Sequence, residues 1–235
     1  MTTLRVLLHV AAQRDYELHS LDFNTAFLQG SLHEEIWLRR PPGFTGTTLA
    51  ALGFAPSTAD PSLFLRTDTT LPLFYVLVYV DDLVFATADT EALAHVKSEL
   101  QKRHTCTDLG PSALRLHVLL ATVDTSAYRT SGMGLVLGGW ARVVLTGHAD
   151  ASWVDDLATQ RSSQGYTFSL CSGSVSWRCT RSSSVLSSSC EAEIYAGAMA
   201  ALELRWLTYL LTDLGEAPRS PPVMYIDNKA MLALC

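Results

Sequence analysis

Apolar positions fall into two alternating regimes along the chain. Residues 4–12, Arg-Val-Leu-Leu-His-Val-Ala-Ala-Gln, carry apolar side chains at helical spacing and predict a helix. Tyr16 to Phe27 begins with strand-like alternation and turns at Gln29-Gly30-Ser31; Glu35 to Arg39 is a second short strand, stopped by Pro41-Pro42-Gly43. Leu49 to Phe54 reads as the end of a helix closed by Gly53. Ser62 to Thr67 and Leu73 to Ala86 form the most apolar stretch and predict three β-strands, the last two joined by a tight turn at Asp81-Asp82. Thr90 to His104 places Leu93, Val96 and Leu100 on one helical face. Residues 105–140 read as irregular, with an apolar strand over Gly132 to Gly138.

From Ala141 the pattern changes. Arg142 to Asp150, Gln164 to Cys171 and Ser174 to Cys179 are strand candidates separated by Ser, Gly and Asp turns. Ser189 to Leu214 is a long helix ended by Gly215, with Trp206, Leu207, Tyr209 and Leu210 as its core face. Pro222 to Ile226 predicts a short buried strand, and Lys229 opens a last helix. This order is α+β and sets the division 1–110, a join over 111–140, and 141–235.

Composition narrows the function classes. The chain has 235 residues, 48% of them apolar, which is ample for a core. The apolar run from Leu71 to Val80 is too short to span a bilayer and ends in two aspartates, so no membrane partner is expected. Five cysteines without a CxxC pair point to a reducing, cytoplasmic or nuclear setting. The net charge of -6 argues against nucleic-acid binding through a global basic field, but leaves room for carboxylates as metal ligands. Seven histidines form no HxH or HExxH pattern, and no GxSxG elbow is present. Arg161, Arg178 and Arg181 are either phosphate contacts or solvated loop ends.

Three constellations carry chemistry. Tyr79-Val80-Asp81-Asp82 sets two adjacent carboxylates between apolar strands, which is costly near a core unless a cation neutralises them; a solvated Asp-Asp turn reads equally well from this segment alone. Asp22 stands between Leu21 and Phe23 in a strand-like run, where a turn-capping aspartate is the simpler reading. Downstream, Asp150 ends a strand, Glu191 and Glu193 open the long helix, and Asp227 ends the next strand.

Taken together, LHSLDFNTAFLQGSLHEEIWLRRPPGF (residues 18–44), LGFAPSTADPSLFL (52–65) and YVDD (79–82) resemble the reverse transcriptase of Ty1/copia-type LTR retrotransposons. QRSSQGYTFSL, GSVSW and LSSSCEAEIYA resemble the ribonuclease H domain of the same Pol polyproteins. The resemblance implies a reverse-transcriptase palm remnant followed by a truncated ribonuclease H-like domain. It implies Asp22, Asp81 and Asp82 as polymerase metal ligands, and Asp150, Glu193 and Asp227 as those of the nuclease. Glu193 is preferred to Glu191 by its place in the family motif. Phe27 falls at the aromatic gate that selects dNTPs, with Tyr79 beside the nucleotide. Mg²⁺ or Mn²⁺ would be the cofactor; RNA template, DNA primer, RNA–DNA hybrid and dNTPs would be the partners.

The chain departs from the family pattern. The basic strand expected before the first helix is missing. Only six residues separate Phe44 from Ala51, where the family carries Leu-Tyr-Gly-Leu-Lys-Gln-Ala-Pro-Arg. The thumb and connection are replaced by a short join, and the sequence stops before the last nuclease strand, helix and fourth catalytic position. The expectation is RNA-directed DNA polymerase and ribonuclease H by descent, inactive in this chain. The alternative is a non-catalytic binding or interaction protein that keeps only the fold.

Overall fold

A computed structural model of the chain describes residues 2–23, 46–111, 144–171 and 173–233, together with Leu137. The expected strand at Glu35 to Arg39, that at Gly132 to Gly138 apart from Leu137, most of the 111–140 join, and Phe27 lie outside the described residues. The fold is mixed α/β with two sheets. The chain forms two compact units, Arg14–Gly134 and a second made of Met1–Gln13 with Leu135–Cys235.

The first unit contains β1 (Glu17–Phe23), α2 (Gly46–Ala51), β2 (Phe54–Pro56), β3 (Leu63–Arg66), β4 (Phe74–Tyr79), β5 (Asp82–Thr87), α3 (Thr90–Arg103) and β6 (Cys106–Pro111). Its antiparallel sheet runs β2-β3-β4-β5-β1-β6. The near-continuous apolar runs of β4 and β5 are buried. On one face Leu21, Phe74, Val76 and Phe85 pack against the Leu93, Val96 and Leu100 stripe of α3. Asp89 caps that helix by accepting from the Ala92 amide at 3.0 Å.

Three features differ from the sequence reading. The tight turn sits one residue earlier than expected: Tyr79 pairs with Asp82, so Val80 and Asp81 make the turn and Asp82 starts β5. Val80 takes φ +54, a strained conformation for a β-branched residue. β2 is an addition to the expected strands. So is β6, whose sequence has no alternation and whose residues are mostly exposed; it forms because β1 offers an open edge.

The second unit contains α1 (Thr2–Arg14), β7 (Leu145–Asp156), β8 (Arg161–Leu170), β9 (Gly173–Arg181), α4 (Ser189–Asp213), β10 (Val223–Tyr225) and α5 (Lys229–Leu232). The sheet order is β10-β7-β8-β9, with β10 parallel to β7 and the other pairs antiparallel. The 1–110 division does not hold for α1. Arg5 donates from Nη1 to the Val175 carbonyl at 3.3 Å, and its guanidinium lies 3.9 Å from the Trp177 ring centroid, both on β9. Helical periodicity identifies α1 as a helix but cannot say which sheet it joins.

α4 lies across β7 and β8. Ala192, Ala196, Gly197 and Ala200 are buried beneath it, small enough for close approach to the sheet. Leu207 and Leu210 face the core as expected, whereas Tyr209 is exposed, because helical spacing sets it on the opposite side. β10 is likewise not buried: Val223 and Tyr225 are exposed. Among the described residues no helix is long and apolar enough to cross a membrane.

One glycine is required by close packing. A Cβ on Gly147 would fall 2.3 Å from Cε1 of the buried Phe168 ring. Gly147→Ala is therefore expected to destabilise the second unit by about 1–3 kcal/mol, the usual cost of overpacking a core. Urea titration read by circular dichroism checks this, and an unchanged midpoint would contradict it.

Candidate metal centre

The order of elements brings three carboxylates to one place. β7 and β10 are parallel neighbours with His148 opposite Tyr225, so Asp150, inside β7, and Asp227, just past the end of β10, each follow two residues on. α4 starts close to both. Its N-cap is Ser188, which accepts from the Glu191 amide at 3.1 Å. Glu191 in turn accepts at 2.6 Å from both the amide and the hydroxyl of Ser187. These bonds hold the Glu191 carboxyl below its ordinary range and commit it to capping.

Glu193, two residues on, turns inward. Candidate ligand oxygens of Asp150, Glu193 and Asp227 all lie within 4.8 Å of one another. Among the described residues no other three His, Cys, Asp or Glu side chains form such a group. Asp150 and Asp227 are exposed, while Glu193 is 6% exposed. Burial pushes the Glu193 carboxyl up, the Asp150 and Asp227 charges push the same way, and a hydrogen bond from the Ala151 amide opposes them. Its Oε2 is buried with no hydrogen-bond partner.

A buried carboxylate oxygen with no donor, beside two more carboxylates, is costly unless a cation faces it. The donor set is all hard oxygen, which suits Mg²⁺ or Mn²⁺. The residues therefore fit a divalent ion: Glu193 from beneath, Asp150 and Asp227 from the solvent side. The Ala151 amide that orients Glu193 has no signal in the sequence, being a backbone group.

The aspartates of the first unit are also neighbours. Asp22 and Asp82 are direct partners across β1 and β5, and the Phe23 amide donates to the Asp81 carbonyl at 2.8 Å. Oδ1 of Asp81 is buried without a partner. Burial, then the Asp22 and Asp81 charges, raise the Asp82 carboxyl above its ordinary value. Tyr79, opposite Asp82, is 45% exposed. The three side chains nonetheless do not gather as the second unit's carboxylates do. Of the arginines, Arg181 is paired with Asp156 at 2.6 Å.

A raised carboxylic pKa stabilises the fold below the unfolded value and loses that stability as pH rises through the folded value. Asp82→Asn should thus stabilise the metal-free chain at pH 7 and do little at pH 3. The gain should stay below about 1 kcal/mol, because water screens this largely exposed group. Urea midpoints at both pH values check the sign, and a loss of stability at pH 7 would reverse it.

No family profile matches the chain. Three curated proteins are informative. The Retrovirus-related Pol polyprotein from transposon RE2 of Arabidopsis thaliana is 26% identical over 356 positions, covering 100% of this chain and 24% of its own length. The corresponding protein from transposon RE1 of the same plant is 24% identical over the same span. Over its full length the chain is similar to Pol polyproteins of Ty1/copia-type transposons. A Secreted RxLR effector protein of Plasmopara viticola is 40% identical over 80 residues, 34% of this chain and 55% of its own. The chain spans about a quarter of the length of the Pol polyproteins that it matches. Its 235 residues align over 356 positions, so about 120 positions of the RE2 polyprotein fall in gaps of this chain.

Proposed function

We propose that the second unit is a ribonuclease H-like domain whose carboxylate centre binds a divalent ion, and that the first unit is a reverse-transcriptase palm remnant. The observation that carries this reading is the convergence of Asp150, Glu193 and Asp227 from strand, helix and strand. The sheet order β9-β8-β7-β10, antiparallel throughout except for a parallel β10 reached through α4, supports it. By descent the substrates are RNA template, DNA primer, dNTPs and RNA–DNA hybrid.

A divalent ion held there would polarise a phosphate oxygen and acidify a bound water. Glu193 is fixed by burial and by the Ala151 amide, so its carboxylate needs little reorganisation when it meets a cation. Asp150 and Asp227, being exposed, leave the outer side of the ion open to a phosphate. Three carboxylates suffice for one ion, whereas two-metal hydrolysis places a second about 4 Å away and needs further ligands. We therefore assign metal binding to this chain, with hybrid cleavage weak or absent.

Melting curves with and without Mn²⁺, for the native chain and for the double variant Asp150→Asn with Asp227→Asn, test the proposal. A rise in Tm confined to the native chain is expected. An identical response in both would remove the shared site, and robust hybrid cleavage by the native chain would overturn the assignment of weak activity. The competing reading, a binding protein that keeps only the fold, requires no Mn²⁺ response in either.

A further inference from the structure

We propose that the carboxylate centre and the stacked rings of His148 and Tyr225 form one binding site for a nucleotide, its phosphate on the ion and its base on the rings. This rests on the metal-binding reading above and adds the ligand. His148 and Tyr225 are partners across the parallel β7–β10 pair. Their ring centroids are 5.1 Å apart and their planes 19° from parallel. Both side chains are exposed, Tyr225 by 54%, which leaves ring surface accessible to a third ring.

The stack is placed by the same strands that place the carboxylates. Side chains two apart in a strand share a face and are roughly 6.6 Å apart along it. His148 therefore stands on the face of β7 that carries Asp150, and Tyr225 precedes Asp227 by two residues. That offset is comparable to the reach from a 5′-phosphate across its ribose to the base.

Charge and chemistry fix the ligand class. Asp150, Glu193 and Asp227 repel a bare phosphate, so an anion binds only through a bridging cation. Stacking reads the π-face that every base has, so the class is nucleotide, without base specificity. The nucleotide is either free or part of a strand, and the two share this chemistry.

The test uses the full chain with Mn²⁺ and compares adenosine 5′-monophosphate with ribose 5-phosphate by calorimetry. The nucleotide is expected to bind about tenfold more tightly, the lower range of one base stacked on an aromatic ring. Tyr225→Leu combined with His148→Leu should erase that preference, and Tyr225→Phe should keep it. The dinucleotide pApA separates the sources: tighter binding than the mononucleotide assigns the site to strands, and equal binding assigns it to free nucleotides. Equal affinity for adenosine 5′-monophosphate and ribose 5-phosphate in the native chain, or a preference that survives the double leucine variant, overturns the proposal while leaving the metal site standing. Failure of Mn²⁺ itself to bind overturns both.

Discussion

Glu193→Gln should stabilise the metal-free chain at pH 7 and remove most of the stabilisation conferred by Mn²⁺. The two effects have one cause. In the folded chain, burial and then the Asp150 and Asp227 charges raise the Glu193 carboxyl above its ordinary value of 4.5. A raised folded pKa contributes stability that is complete below the unfolded value and lost as pH rises through the folded one. The native metal-free chain therefore loses this contribution as pH rises above the ordinary carboxyl range. The Glu193→Gln chain does not, because an amide in that place cannot ionise.

An ion reverses the balance by facing the carboxylate that the fold has left without a donor. At a free Mn²⁺ concentration a hundred times Kd, mass action gives about 2.7 kcal/mol. For a unit of this size that corresponds to roughly ten degrees in Tm. Thermal melts of native and Glu193→Gln chains at pH 4 and pH 7, each with and without Mn²⁺, separate the two effects. An equal Mn²⁺ shift in both chains would place the ion elsewhere, and parallel pH profiles without metal would remove the proposed repulsion.

Template-directed incorporation of dNTPs by the purified chain should not rise above background. Polymerase chemistry depends on positioning and charge neutralisation more than on any single reactive group. Positioning is worth effective molarities on the order of 10⁵ M or more, so losing it removes the activity outright. Here Asp22 lies beside Asp82, yet the three aspartates do not form as close a group as Asp150, Glu193 and Asp227. Only six residues lie between Phe44 and Ala51, where the family resemblance calls for a template- and dNTP-contacting segment. Primer extension on an RNA template with Mg²⁺ measures this directly. Incorporation that is abolished by Asp81→Asn would show that a working polymerase centre persists.

The carboxylate centre was legible because its signal is an order, not a distance. The sequence reading ended the first strand at Asp150, whereas β7 runs on to Asp156; Asp150 inside β7, Glu193 in the first turns of α4 and Asp227 just past β10 still meet, because β7 and β10 are parallel neighbours. The choice of Glu193 over Glu191 also agrees with local physics, since Ser187 and Ser188 engage Glu191 in the cap.

What escaped the sequence has no periodic signature. The Val80-Asp81 turn lacks the Gly or Asn that usually marks a two-residue hairpin, so the two aspartates drew the turn to themselves. β6 is a strand only because β1 lends it an edge. α1 announces its helicity, but its docking on Val175 and Trp177 is a long-range fact. The expected burial of β10 came from its apolar residues, and Val223 and Tyr225 lie exposed because the edge strand has one sheet neighbour, β7.

The most direct test of the shared metal site is a Mn²⁺ titration followed by electron paramagnetic resonance at pH 7, which counts bound ions by the loss of the free-ion signal. The expected result is a single Mn²⁺ on each native chain, displaced by excess Mg²⁺, and none on the chain carrying Asp150→Asn with Asp227→Asn. A native chain that leaves the free Mn²⁺ signal intact, or a double variant that binds as the native chain does, would contradict it.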